Sequence, residues 1–128
     1  MFNIPVSNGE LVDKYTILLI KQDKISDCDK LEKINLELQL LEKYIESLNS
    51  NYNIITYISN LKQINYKLWN IEDKIRIKEK NKLFDKEFID LARSIYFTND
   101  ERSSIKLKIN NITNSKIIEV KSYENYQG

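Results

Sequence analysis

The chain has no histidine, one cysteine, one proline, two glycines and, at Ala92, a single alanine. Each scarcity excludes something. Without histidine there is no Ser-His-Asp or Cys-His catalysis, and the commonest general base and transition-metal ligand are gone. A lone Cys28 permits no internal disulfide and no cysteine-based zinc site, and it reads as incidental. Few glycines and prolines mean few turns, hence long helices with short connections. No run reaches 18 consecutive apolar residues, so no segment is expected to span a membrane. The opening Met-Phe-Asn-Ile-Pro-Val-Ser lacks the basic and apolar regions of a signal peptide, so a cytoplasmic location is expected, host cytoplasm if the source is viral. Twenty Lys+Arg against nineteen Asp+Glu leave a net charge of +1. A general nucleic-acid binder needs a net basic field, which that balance does not supply.

What is present is one domain's worth of chain, 128 residues and 15.2 kDa, read as a single helical domain over 1–128. Ile (20), Lys (17) and Asn (15) are abundant. All three are encoded by AT-rich codons, which points to an AT-rich genome such as those of large DNA viruses, some phages and some bacteria. Against that bias the three arginines, Arg76, Arg93 and Arg102, stand out as positions where a planar fork of donors serves and an ammonium does not.

The spacing predicts an all-α antiparallel bundle of four to six helices with a long helical hairpin. Ser7-Asn8-Gly9-Glu10 is a capping-box pattern starting a first helix to Ile25, with a stripe of Leu11, Tyr15, Leu18 and Leu19. Asp29 is expected to cap a second helix to Leu48, with Asn49-Ser50-Asn51 as a turn. A third helix follows over 52–80, and the second and third are expected to form the hairpin. Asp85 caps a short fourth helix, and Thr98-Asn99-Asp100-Glu101 reads as a second capping box opening a fifth through Ile112. Residues 115–123 are left as a docked segment. Helices two and three outrun the short ones after them, so self-association, as a dimer, is expected.

Two stripes are not explained by core packing. Asn65, Trp69, Glu72, Arg76 and Glu79 share one face of the third helix beside its apolar seam. Arg93, Tyr96, Phe97, Asn99, Asp100, Arg102 and Lys106 cluster around the expected start of the fifth helix, whose free N–H groups would attract an anion. Lys14 and Lys21 lie two turns apart on the first helix, and Lys121 adds a cation in the tail. Glu10 and Asp13, as charged residues early in a helix, read as solvated. No catalytic residue, metal or cofactor is assigned. The candidate ligand-binding set is Lys14, Lys21, Trp69, Glu72, Arg76, Arg93, Tyr96, Asn99, Asp100, Arg102, Lys106 and Lys121.

Four blocks carry a resemblance: residues 4–14 with Ile20-Lys21, residues 68–76, residues 91–96 with Asn99-Asp100-Glu101-Arg102 and Ile105-Lys106, and residues 119–123. With them the chain resembles an uncharacterised family of small all-helical domains found in phages, large DNA viruses and bacteria. The resemblance implies a fold unit and such a source, and carries no catalytic role. A weaker similarity, to the all-helical chorismate mutase fold, lacks the arginine that family needs in its first helix.

The leading functional expectation is a non-catalytic binding module for a small anionic, nucleotide-like ligand. Its expected setting is a viral sponge that sequesters host immune signalling nucleotides. The alternatives are a small enzyme acting on a phosphorylated or nucleotide-sugar substrate, and a helical scaffold accessory to glycan synthesis.

Overall fold

The computed structural model of the protein describes residues 1–126. It has four helices: α1 (Asn8–Lys24), α2 (Cys28–Tyr52), α3 (Ile55–Lys80) and α4 (Lys86–Ile112). No strand occurs among the described residues.

Local chemistry sets most boundaries. The Ser7 hydroxyl accepts the Glu10 N–H and starts α1. The reciprocal half of that capping box is absent, because the Glu10 carboxylate reaches Lys106 instead. Asp27, rather than the expected Asp29, caps α2 by accepting the Lys30 N–H. The second helix also outruns its expected end at Leu48. Asn49 stays helical and uses its side chain to accept the Ile54 N–H, and the turn falls at left-handed Asn53 (φ 51°). Asp85 caps α4 through the Phe88 N–H, as expected.

The largest departure is at Thr98. The expected short fourth and fifth helices are one continuous α4 of 27 residues. Thr98 is 1 % exposed, inside a seam that runs Leu91, Ile95, Thr98, Arg102, Ile105, Ile109 at helical spacing. Two polar residues interrupt that seam in the sequence without interrupting the helix. No helix starts at Asn99, so the free N–H groups expected to attract an anion there are spent inside α4. The length argument for self-association also falls, since α4 is as long as the helices before it.

α1 is the central helix and meets the other three. One side packs Leu18 against Ile34 and Leu38 of α2. The other packs Val12 with Ile45, Ile54, Leu61 and Ile109. The long hairpin is formed by α3 and α4, which share the most extensive contact, rather than by α2 and α3. Residue pairings give the directions: Lys14–Glu37 and Gln22–Asn35 set α2 antiparallel to α1, and Glu10–Lys106 with Asp13–Arg102 set α4 antiparallel to it. Asp13 and Thr16 both meet Asn65. Between Ile71 and Thr98 no residue is buried, so the far half of the hairpin is a two-helix arm, closed by Lys78 pairing with Asp85 and Glu87.

The start of α1 is stitched to the end of α4 by polar groups. The Gly9 N–H donates to buried Asn110 Oδ1 at 2.6 Å, and the Asn8 amide donates to Thr113 Oγ1 at 2.9 Å. Asn110 and Thr113, polar residues of the kind that loosens a chain end, here hold it. Gly9 is required by the closeness of this approach: a Cβ there would lie 2.5 Å from the Lys106 carbonyl oxygen. Helix propensity alone makes Gly9→Ala stabilising by about 1 kcal/mol. Here the substitution is expected to cost about 1–3 kcal/mol, because a backbone carbonyl cannot step aside. Urea denaturation checks this, and a stabilised Gly9→Ala would contradict the close α1–α4 contact.

Candidate functional site

The site begins with an acid on the central helix. Asp13 sits one residue past Val12 on the face of α1 that meets α3 and α4, and it is 1 % exposed. A carboxylate so placed needs partners, since burying an unpaired charge is prohibitive. The Arg102 guanidinium supplies the main one as a fork. Its Nε donates to Asp13 Oδ1 at 2.9 Å and its Nη2 donates to Asp13 Oδ2. The Asn65 amide donates to Asp13 Oδ1 at 2.8 Å and to Thr16 Oγ1 at 2.9 Å. The Thr16 hydroxyl in turn donates a hydrogen bond to the Asp13 main-chain carbonyl at 2.8 Å. No buried side-chain polar atom among the described residues lacks a partner. Asp13 raises the affinity of Arg102 for its proton above the ordinary value, against the opposing effect of burial.

Beside this fork lies a second cationic centre. Lys106 is buried except for 10 % of its side chain, and its Nζ contacts Glu10 at 2.7 Å, Glu119 at 3.2 Å and Asp13 at 3.9 Å. Glu119 also accepts from Lys121 at 2.6 Å.

Two concavities open on either side of Arg102. The first, about 430 Å³, is walled by Ile17, Ile20, Leu68 and Trp69, with Asn65, Glu72, Asp73, Arg76, Asn99 and Arg102 as its polar part. The second, about 530 Å³, is bounded by α4 and the C-terminal segment: Tyr96, Asn99, Asp100, Arg102, Ser103 and Lys106 on one side, Lys121, Tyr123, Glu124 and Tyr126 on the other. Asn99 and Arg102 line both. The Arg102 Nη1 reaches Asn99 Oδ1 only at 3.5 Å, too long to hold that donor firmly.

Of the candidate residues, Trp69, Glu72, Arg76, Asn99 and Arg102 line the first concavity, and Tyr96, Asn99, Asp100, Arg102, Lys106 and Lys121 line the second. Arg76 is mostly exposed and pairs with Glu72 at 3.3 Å. Lys14 lies elsewhere, paired with Glu37 of α2 at 2.9 Å. Lys21 lines neither concavity. Arg93 lies outside both, with its guanidinium 5.9 Å from the Phe97 ring centre. Asp13 overturns the solvated reading given to it. Its signal was the second stripe of α1, Val12, Thr16 and Ile20, on which an adjacent acid is carried inward. Asn65, Thr16 and Glu119 also escaped the candidate set. No group of three or more His, Cys, Asp or Glu residues suited to a metal ion occurs among the described residues. No helix is long and apolar enough to cross a membrane.

A family match covers residues 2–127. The chain belongs to the family of unknown function DUF6165. No curated protein and no solved structure matches it. In this DUF6165 chain the matched span takes in both concavities and the C-terminal segment that borders the second.

Lys121 above all, and Lys106 after it, hold the Glu119 carboxyl below its ordinary value of 4.5. A lowered carboxyl contributes stability that is present above its ordinary value and lost as pH falls through the lowered one. Carboxyl-detected NMR titration is expected to place the Glu119 midpoint below 4.5. A midpoint at or above that value would contradict the ion pairs drawn here.

Proposed function

We propose that this DUF6165 domain is a non-catalytic binding module for a small anionic, nucleotide-like ligand held across Arg102. One observation carries the reading. The same Asn99 and Arg102 line two adjoining concavities of different chemistry, one with an indole wall and the other with two ammonium groups. A nucleotide has those two ends. Its base stacks on an aromatic face, and its phosphates take charge-assisted bonds from Arg and Lys. The volumes, about 430 and 530 Å³, fall in the range of small-molecule sites. The whole chain stays near neutral, which suits a small anionic ligand rather than general polyanion binding. A binding role also suits a chain with no histidine and with its one cysteine exposed at the start of α2.

The test is calorimetry against a panel of cyclic dinucleotides, ADP-ribose derivatives and nucleotide sugars, with the bound ligand recovered and analysed for turnover. Arg102 is unsuited as the first variant because its loss strands Asp13. Arg76 is exposed and removable. At least one member is expected to bind tighter than about 100 µM, or about −5.5 kcal/mol. Arg76→Ala is expected to weaken it about 10-fold, the loss of one charge-assisted bond of about 1.5 kcal/mol. Trp69→Leu is expected to weaken base-bearing ligands and to leave inorganic pyrophosphate unaffected. No binding across the panel would overturn the ligand class. Turnover of the ligand would replace the binding module with an enzyme.

A further inference from the structure

The segment after α4 does more than border the second concavity. It leaves the helix at Asn114, a left-handed residue (φ 54°), and is anchored at once: the Asn8 N–H donates to Ser115 Oγ at 3.0 Å, and the Ser115 N–H donates to the Asn110 carbonyl at 2.8 Å. From there to Tyr126 it has no regular secondary structure. At its far end the Tyr126 hydroxyl donates to Asp100, and the Tyr126 ring packs on Tyr96 and Phe97 at 5.0 and 5.1 Å between centres. Between these points Val120 and Tyr123 are 86 % and 79 % exposed, so apolar burial does not hold the middle. What ties it to the bundle is charge: the Glu119 carboxylate meets Lys106 of α4, with Lys121 of the same segment beside it.

Three carboxylates face Lys106, and they differ in kind. Glu10 and Asp13 belong to α1 and are fixed by the bundle. Glu119 belongs to the strap and is the removable one. It lines a small concavity that shares Ser103, Lys106 and Lys121 with the second one, so an anionic group reaching in from the second concavity would find both ammoniums.

Resting on the reading of this site as an anion-binding one, we propose that the strap over 115–126 carries a built-in competitor. Glu119 fills a phosphate subsite formed by Lys106 and Lys121, and the terminal phosphate of a nucleotide-like ligand takes its place. A phosphate carries more charge and more acceptor oxygens than a carboxylate, so it meets both ammoniums more strongly than the one carboxylate that bridges them. The half-exposed Glu119 side chain swings out while the strap and its Lys121 stay in place, so the carboxylate taxes ligand affinity by the fraction of time it occupies the subsite.

The experiment uses the full chain with ADP and inorganic pyrophosphate as probes. Calorimetry compares wild type, Glu119→Gln and Glu32→Gln, the last removing an exposed charge on α2 outside both concavities. Glu119→Gln removes the competitor's charge at a half-exposed position and leaves the bundle untouched. It is expected to bind both probes about 5- to 30-fold tighter than wild type, while Glu32→Gln stays within about two-fold. The carboxyl-detected NMR signal of Glu119 is expected to shift when wild type is saturated with ADP, while that of Glu32 stays in place. A Glu119→Gln that binds no tighter than wild type overturns the competitor and leaves the binding module standing. The same holds for a Glu32→Gln that tightens equally, or for a Glu119 carboxyl signal that ADP leaves in place. Binding by Glu119→Gln alone supports both readings, with wild type held shut by its carboxylate. Failure of all three proteins to bind either probe overturns both.

Discussion

A carboxylate fixed in the centre of the bundle is the constraint on which the rest of this structure depends. Asp13 lies on the central helix, which packs extensively on each of the other three, and its burial is tolerable only with a cation delivered to it in a forked geometry. That cation comes from α4, and the amide that completes the set comes from α3. One acid therefore sets the register of two helices against a third. Apolar packing would leave that register looser: the cluster around Val12, Leu61 and Ile109 specifies that the helices meet, and the forked pair specifies where along their lengths they do.

The same constraint shapes the surface. Arg102 is drawn inward to Asp13 by two of its nitrogens, which places its third at the floor between two concavities. Lys106, one turn later on α4, meets Glu10, one turn nearer the start of α1 than Asp13. The polar core and the candidate site are thus two sides of one network. The strap is its outermost layer, joined through Glu119. Structural and ligand-facing roles cannot be separated at Arg102, and they can be separated at Arg76, which is mostly exposed.

What was legible in the sequence was local. The Ser7 and Asp85 caps, the apolar seam of α3, and the alignment of Trp69, Glu72 and Arg76 on one face depend on residues within a few turns of one another. The interior roles of Asp13, Thr98 and Asn110 were not legible. Their polarity argues for solvent, a helix start and a loose end. Their actual roles come from partners or seams supplied by distant segments: Asp13 from Arg102, 89 residues away, and Asn110 from Gly9, 101 residues away. Periodicity that counts only apolar residues breaks wherever a core position is filled by a paired polar group, and so it divided α4 in two. The tail was legible as docked. Glu119, which docks it, escaped notice because a strap without regular structure has no period to read.

The most direct measurement of this account is a double-mutant cycle on the central pair, Asp13→Asn and Arg102→Met, read by equilibrium denaturation. Each single variant leaves a partner stranded and is expected to lose about 3 kcal/mol. The double variant is expected to lose less than the sum by about 2 kcal/mol, the coupling of two groups that exist for each other. Losses that simply add would contradict the account, because the bundle would then be organised without the pair.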